Sequence, residues 1–466
     1  MPSLSRRELL RTSVLAATAS AAGGMSAAAP AAGGGFSIAP FRFDVTPPVD
    51  HPLCGGWGTP AVDVDDGLEA IGFVLTGSGK PIVICAVDWT GILNGAHVAW
   101  RSALAEAAGT TPDRVAVHCV HQHDAPFVCL RTQELLEERG AGLPVVDRQF
   151  FQDCLDRARA AIRAALPQAR TVTHVARGAG QVVGVAGNRR LLLGPDGTVR
   201  KMRGSGCRDP QLIALPEGLI DPQLKTVTFC DGDEPLVACR YYACHPMSHY
   251  GQGHVSSDFV GLARKRRQLE TPGCTQIYFS GAGGDVAAGK YNDGSPEARV
   301  RLTGRIHDAM HAADAALVKK PLASVAWKTH DLLPQLNPAF DAERLRAKVA
   351  DAANRKADRI RPAMVLSWME RLAEKIPIVL SGLHLDDTVL LHLPAESFVA
   401  YQLRASQIAA EGRGGFVATA AYGDGGPWYI PTREEYPKKG YEVSVANCAD
   451  TIDDQLTRGM RDVLAG

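Results

Sequence analysis

The chain has 466 residues, 45% of them hydrophobic and 21% charged, the profile of a soluble globular protein long enough for one large domain or two small ones. Fifty Lys and Arg residues balance fifty Asp and Glu, so no excess charge points to nucleic acid or an anionic membrane as partner. Eleven cysteines, an odd number and without a Cys-x-x-Cys pair, argue against a disulfide scaffold at this size.

At the N-terminus, Ser5-Arg6-Arg7-Glu8-Leu9-Leu10 precedes an Ala-rich, mildly apolar stretch and a small-residue tract. This order reads as a twin-arginine export signal over residues 1–35, which places the protein in the periplasm or outside the cell and leaves 36–466 as the folded domain. No later segment offers ~18 uninterrupted apolar residues, so no transmembrane helix is expected. Strands are expected at 70–75, 81–87, 114–120, 171–176, 224–230, 236–244, 275–280, 324–329, 388–393 and 415–421. Helices are expected at 95–107, 147–165, 259–269, 297–316, 338–354, 362–375 and 398–410. The alternation predicts an α/β fold with mixed, mostly parallel sheets flanked by helices. Such folds carry their sites beyond the carboxyl ends of the strands. No internal repeat is visible.

Five strand ends carry chemistry. The apolar run from Val115 to Cys119 leads into His121 and His123, which continue one face of the strand and can share an ion or divide metal and proton work. His118 points to the opposite face and reads as structural. The run 236–244 ends at His245, with Pro246 blocking continuation; His249 is a less favoured helical partner for it. Residues 281–285, Gly-Ala-Gly-Gly-Asp, form a glycine-rich turn that matches neither a phosphate loop nor a nucleophile elbow. Glu396 follows the strand end at Leu393-Pro394. A last strand opens into a loop with Tyr422, Tyr429, Tyr436 and Tyr441. Together these supply histidine, carboxylate and phenol ligands, a set that suits Zn²⁺ better than Ca²⁺ or Mg²⁺.

The same segments resemble the catalytic domain of the neutral (alkaline, non-lysosomal) ceramidase family. Asp44-Val-Thr-Pro-Pro is similar to that family's Asp-Ile-Thr-Pro, and His121-Gln-His123-Asp-Ala-Pro to its His-Thr-His-Ser-Gly-Pro. Gly187-Asn-Arg189, Cys244-His245-Pro and Leu393-Pro-Ala-Glu396 follow in the family's order. Tyr429-Ile-Pro-Thr-Arg-Glu-Glu-Tyr436 and Tyr441-Glu442 then match its tyrosine-rich end. The resemblance implies zinc ligands His121, His245, Glu396 and Tyr429, with Tyr436 as the competitor for the last place. It further implies His123, Arg189 and Tyr441 around a scissile carbonyl.

The family's Gly-Asp-Val-Ser reads Gly284-Asp285-Val286-Ala287 here, and no counterpart of its C-terminal β-sandwich is seen. Both departures argue for a substrate other than ceramide. The function expected is an exported zinc hydrolase that cleaves a linear amide by metal-activated water. His123 would serve as base and acid, with Asp88 and Asp258 as candidates to orient the ligand histidines. The alternatives are a metal-dependent hydrolase of a carbohydrate or other polar compound, and a binding protein with structural zinc. The substrate would be a small molecule or lipid-like.

Overall fold

The computed structural model describes residues 35–412 and 415–465; the twin-arginine motif lies outside them. The chain begins with an antiparallel meander of β1 (Phe36–Asp44), β2 (Glu69–Thr76) and β3 (Ile82–Val87). It crosses through α1 (Gly95–Ala108) to β4 (Val115–Cys119), which lies parallel to β3, and continues into α2 (Arg148–Ala165).

The same connectivity then recurs. A meander of β5 (His174–Gln181), β6 (Gln223–Asp231) and β7 (Glu234–Tyr242) leads through α3 (Asp258–Glu270) to a parallel β8 (Thr275–Ser280), then α4 (Pro296–Ala315). The third occurrence starts with β9 (Val325–Leu332), followed by two inserted helices, α5 (Ala342–Ala350) and α6 (Lys356–Ala373). It closes with β10 (Ile378–Leu385), β11 (Thr388–His392), α7 (Val399–Glu411), β12 (Phe416–Ala420) and α8 (Ile452–Leu464). Among the described residues the domain is therefore three copies of one β-β-β-α-β-α plan. This corrects the expectation that the chain holds no repeat.

The α/β class with mixed sheets flanked by helices holds, but the balance within the sheets differs from the expectation. Each large sheet contains one parallel pair, β3–β4, β7–β8 and β11–β12, and its other pairs are antiparallel. Loop length explains this. Two residues separate β6 from β7 and β10 from β11, which permits only a hairpin. The connection through a helix is long enough for a parallel return.

Alternating strand residues serve two cores. Val83, Cys85 and Val87 face one hydrophobic cluster with α1 and α2, while Ile82, Ile84 and Ala86 face a second. In that second cluster Phe73 of the first sheet, Phe229 of the second and Leu390 of the third are all buried. The Phe73 and Phe229 rings lie 5.1 Å apart.

His118 stands at this junction, as a structural group. Its Nδ1 donates to the Ala421 carbonyl at 2.8 Å, so its Nε2 accepts from His392 Nδ1 at 2.9 Å. Burial drives the His118 pKa down to about 3. A neutral imidazole pair thus ties β4 to β11.

Candidate metal centre

The parallel pair of each module delivers its carboxyl end to one place. His121 lies two residues beyond β4, His245 three beyond β7, and Glu396 four beyond β11. Short pairings past the loops fix their positions. Glu396 and Tyr429 are direct partners in a two-residue parallel ladder, and His245 bridges Ala287. Gly284 lets the second module close on the third, because a Cβ there would stand 2.2 Å from the Glu396 carbonyl oxygen. His121 itself has φ +75°, a left-handed conformation uncommon for a residue with a side chain and often met at functional sites.

The hydrogen bonds set the tautomers. His121 Nδ1 lies 2.6 Å from the Thr90 carbonyl and His245 Nδ1 lies 2.7 Å from that of Gly283. A carbonyl only accepts, so both Nδ1 atoms carry a proton, and each ring, when neutral, presents its lone pair at Nε2. Both Nε2 atoms face the same carboxylate oxygen, Glu396 Oε2, at 3.3 Å and 3.0 Å. His121 Nε2 is buried without a hydrogen-bond partner. The Tyr429 hydroxyl stands 3.5 Å from His245 Nε2.

Burial would raise the Glu396 pKa, but the two imidazoles outweigh it and hold the carboxyl well below its usual range. Burial first, and then Arg189, bring His245 down to about 4. Two imidazole nitrogens and a carboxylate oxygen, mutually within 4.8 Å and buried, are a donor set that fits a divalent cation.

His123 sits beside this set, its ring 5.1 Å from that of His121. Its Nδ1 meets the Cys54 sulfur at 3.3 Å, and its Nε2 has no partner. Burial raises the Cys54 pKa to about 12, so it stays a thiol. Arg189 is buried, bonded to the Gly284 carbonyl and 3.1 Å from Glu442 Oε1, with its guanidinium 5.5 Å over the Tyr429 ring. Tyr441 is 38% exposed, with its ring 5.7 Å from that of Tyr429.

Several expectations change. Tyr436 donates to the Cys448 carbonyl at 2.9 Å and is engaged away from the imidazoles. His249 Nδ1 turns to the Gly294 carbonyl. Asp88 and Asp258 orient neither histidine, because the far ring nitrogens are taken by backbone carbonyls. Asp88 pairs with Arg264 at 3.3 Å, and Asp258 accepts from Ser248 N at 2.9 Å.

Asp285 accepts from Val399 N at 2.9 Å and from Asn188 at 2.8 Å, joining the glycine-rich turn to the start of α7. Tyr422, left unassigned by the sequence, stacks on His121 with centroids 4.3 Å apart. It occupies the same place after β12 that His121 occupies after β4, a signal visible only once the repeat is known.

No protein-family model matches the sequence, and no curated protein matches it. Solved structures do match the fold. The neutral ceramidase from Pseudomonas aeruginosa superposes with a TM-score of 0.69 at 17% identity, over 92% of this chain and 74% of that one. A ceramidase complexed with C2 gives a TM-score of 0.68 at 16% identity, over 92% and 75%. The chain has the fold of the neutral ceramidases.

Proposed function

We propose that this chain is an exported zinc-dependent hydrolase that cleaves a linear N-acyl amide. One observation carries the reading: two buried imidazole Nε2 atoms, each ring fixed through Nδ1 by a backbone carbonyl, converge on one buried carboxylate oxygen. The ceramidase fold supports an amide as the bond attacked. His121, His245, Glu396 and Tyr429 would hold the ion. Zinc bound there would supply Lewis-acid chemistry, lowering the pKa of water to about 7 and polarising a carbonyl oxygen.

The chain's own groups supply the rest. In the tautomer with Nδ1–H against the Cys54 sulfur, His123 would offer a free Nε2 lone pair to take a proton from the attacking water and return it to the leaving amine. Arg189, with an unpartnered buried Nε, offers positive charge to an oxygen developing charge beside Tyr429. Tyr441 adds a hydroxyl donor at the exposed side. Because water is the attacker, alanine at 287 is compatible with this chemistry. The free nitrogens beside the ligand set favour a catalytic over a purely structural ion.

Protein purified without chelator is expected to carry about one zinc per chain and to release fatty acid from N-acyl compounds. Chelation should abolish the activity and added zinc should restore it. Hydrolysis undiminished in metal-free protein would sink the proposal.

A further inference from the structure

Each module carries an insert between its first two strands, and all three inserts border the metal centre. Cys54 and Trp57 come from the first, Arg189 from the second, and Arg361, on α6, from the third. Arg361 differs from the other arginines around the site. Arg189 and Arg190 share Glu442, Arg371 holds Asp424, and Arg264 holds Glu69 and Asp88. Among the described residues Arg361 has no carboxylate within salt-bridge distance, and Asp358, on the same helix, acts on it only at longer range.

The Arg361 guanidinium lies instead 5.4 Å over the Trp57 ring, 5.7 Å over Trp428 and 5.7 Å over Tyr441. Among the described residues its Nε is buried without a hydrogen-bond partner, and its sole hydrogen bond is a long one, 3.4 Å to the Tyr441 hydroxyl. Three aromatic faces hold the cation in place and leave its donors unspent.

Arg361 lines a cavity of about 290 Å³ together with Lys348, Phe340, Leu345, Trp428 and Val445. The carboxylate on its wall, Asp358, is taken by Arg355 at 2.7 Å. The cavity therefore offers two cations, one carboxylate already paired with Arg355, and an apolar surface to whatever enters. Two residues of its wall lead toward the metal centre: Trp428, which precedes Tyr429, and Arg361, which lies over the ring of Tyr441, itself 5.7 Å from that of Tyr429. A planar guanidinium with free donors in an aromatic setting is built for a carboxylate.

We propose that Arg361 receives a carboxylate carried by the leaving amine, so that the substrates are N-acyl amino acids in preference to neutral N-acyl amines. The inference rests on the amide-hydrolase reading above and adds the substrate class to it.

The test compares N-lauroylglycine and N-lauroylglutamate with their neutral primary amides, in the wild-type chain, Arg361→Gln and Arg361→Lys. Wild-type kcat/KM should favour the acids, and Arg361→Gln should cut that preference by about 10- to 100-fold, the worth of one charge-assisted hydrogen-bonded contact. Arg361→Lys should recover part of it. Equal rates on acids and amides in wild type, or a preference that survives Arg361→Gln in folded protein, overturn the proposal while leaving the hydrolase reading intact. Should no amide be cleaved, the hydrolase reading fails, and calorimetric binding of N-lauroylglycine still decides the anion site. Binding by wild type and not by Arg361→Gln supports it, and any other pattern overturns it.

Discussion

Two clusters in this molecule share a composition of two histidines and a glutamate. His121, His245 and Glu396 are buried and come from three modules; Glu270, His307 and His311 lie on the outer helices α3 and α4. In the outer cluster the imidazoles also reach the carboxylate, at 2.8 Å and 3.0 Å. Glu270 is already satisfied there, however, by Arg267 at 2.9 Å, and His311 is half exposed. In the inner cluster no arginine among the described residues lies within salt-bridge distance of Glu396, and backbone carbonyls fix each ring with its Nε2 inward. Ligand type does not distinguish the two groups; tautomer control and the exclusion of rival cations do.

The sharpest way to break that contrast is to exchange the carboxylates for amides. Glu396→Gln is expected to lose bound zinc, measured by elemental analysis, together with all detectable amide hydrolysis. Next in size, His123→Ala should retain zinc while kcat falls by about 10²–10⁴-fold, which separates proton transfer from metal holding. Loss of the metal in that variant would make His123 a ligand.

A smaller effect probes the buried imidazole pair between β4 and β11. The His118 pKa of about 3 lies below the ordinary 6.5, so between those values the unfolded chain binds a proton that the folded chain does not. Stability is complete above pH 6.5 and falls as the pH drops through that window, by up to about 1.4 kcal/mol per pH unit. Denaturant midpoints at pH 7, 6 and 5 should show a shallower fall for His118→Gln than for wild type; parallel slopes would contradict the assignment. Least of all, Glu270→Gln should keep full zinc content and shift stability by about 1 kcal/mol or less in a denaturant titration.

The inner cluster was the legible one, for a physical reason. An apolar run that stops at a histidine or at Pro-x-Glu announces a strand end with a polar tip, and His121, His245 and Glu396 all sit so. The strands around them were read from the same runs. Ile378–Leu385 was missed because Ser381, Gly382 and His384 interrupt its apolar pattern; Gly382 is there to admit Val463 of α8. Phe36–Asp44 was hidden by Pro40 and Arg42 and by the small-residue tract before it. The helix Ile452–Leu464 was available, since Ile452, Leu456, Met460 and Val463 mark one face.

The threefold plan was not legible at all. The equivalent loops carry different chemistry, and the inserts differ in length and content, so no period survives in the residues. Arg361 was invisible for the same reason: it lies on a helix inside an insert, and only folding brings it to Trp57 and Trp428.

The placement of those inserts bears on how such a protein diversifies. The tips that carry His121, His245 and Glu396 depend on strands whose register is set deep in the molecule, whereas each insert leaves and rejoins its sheet at the start of a module. A change of length or sequence in one insert alters what surrounds the candidate site without shifting His121, His245 or Glu396. Three separately adjustable walls around one fixed reaction centre would let new specificities arise one wall at a time.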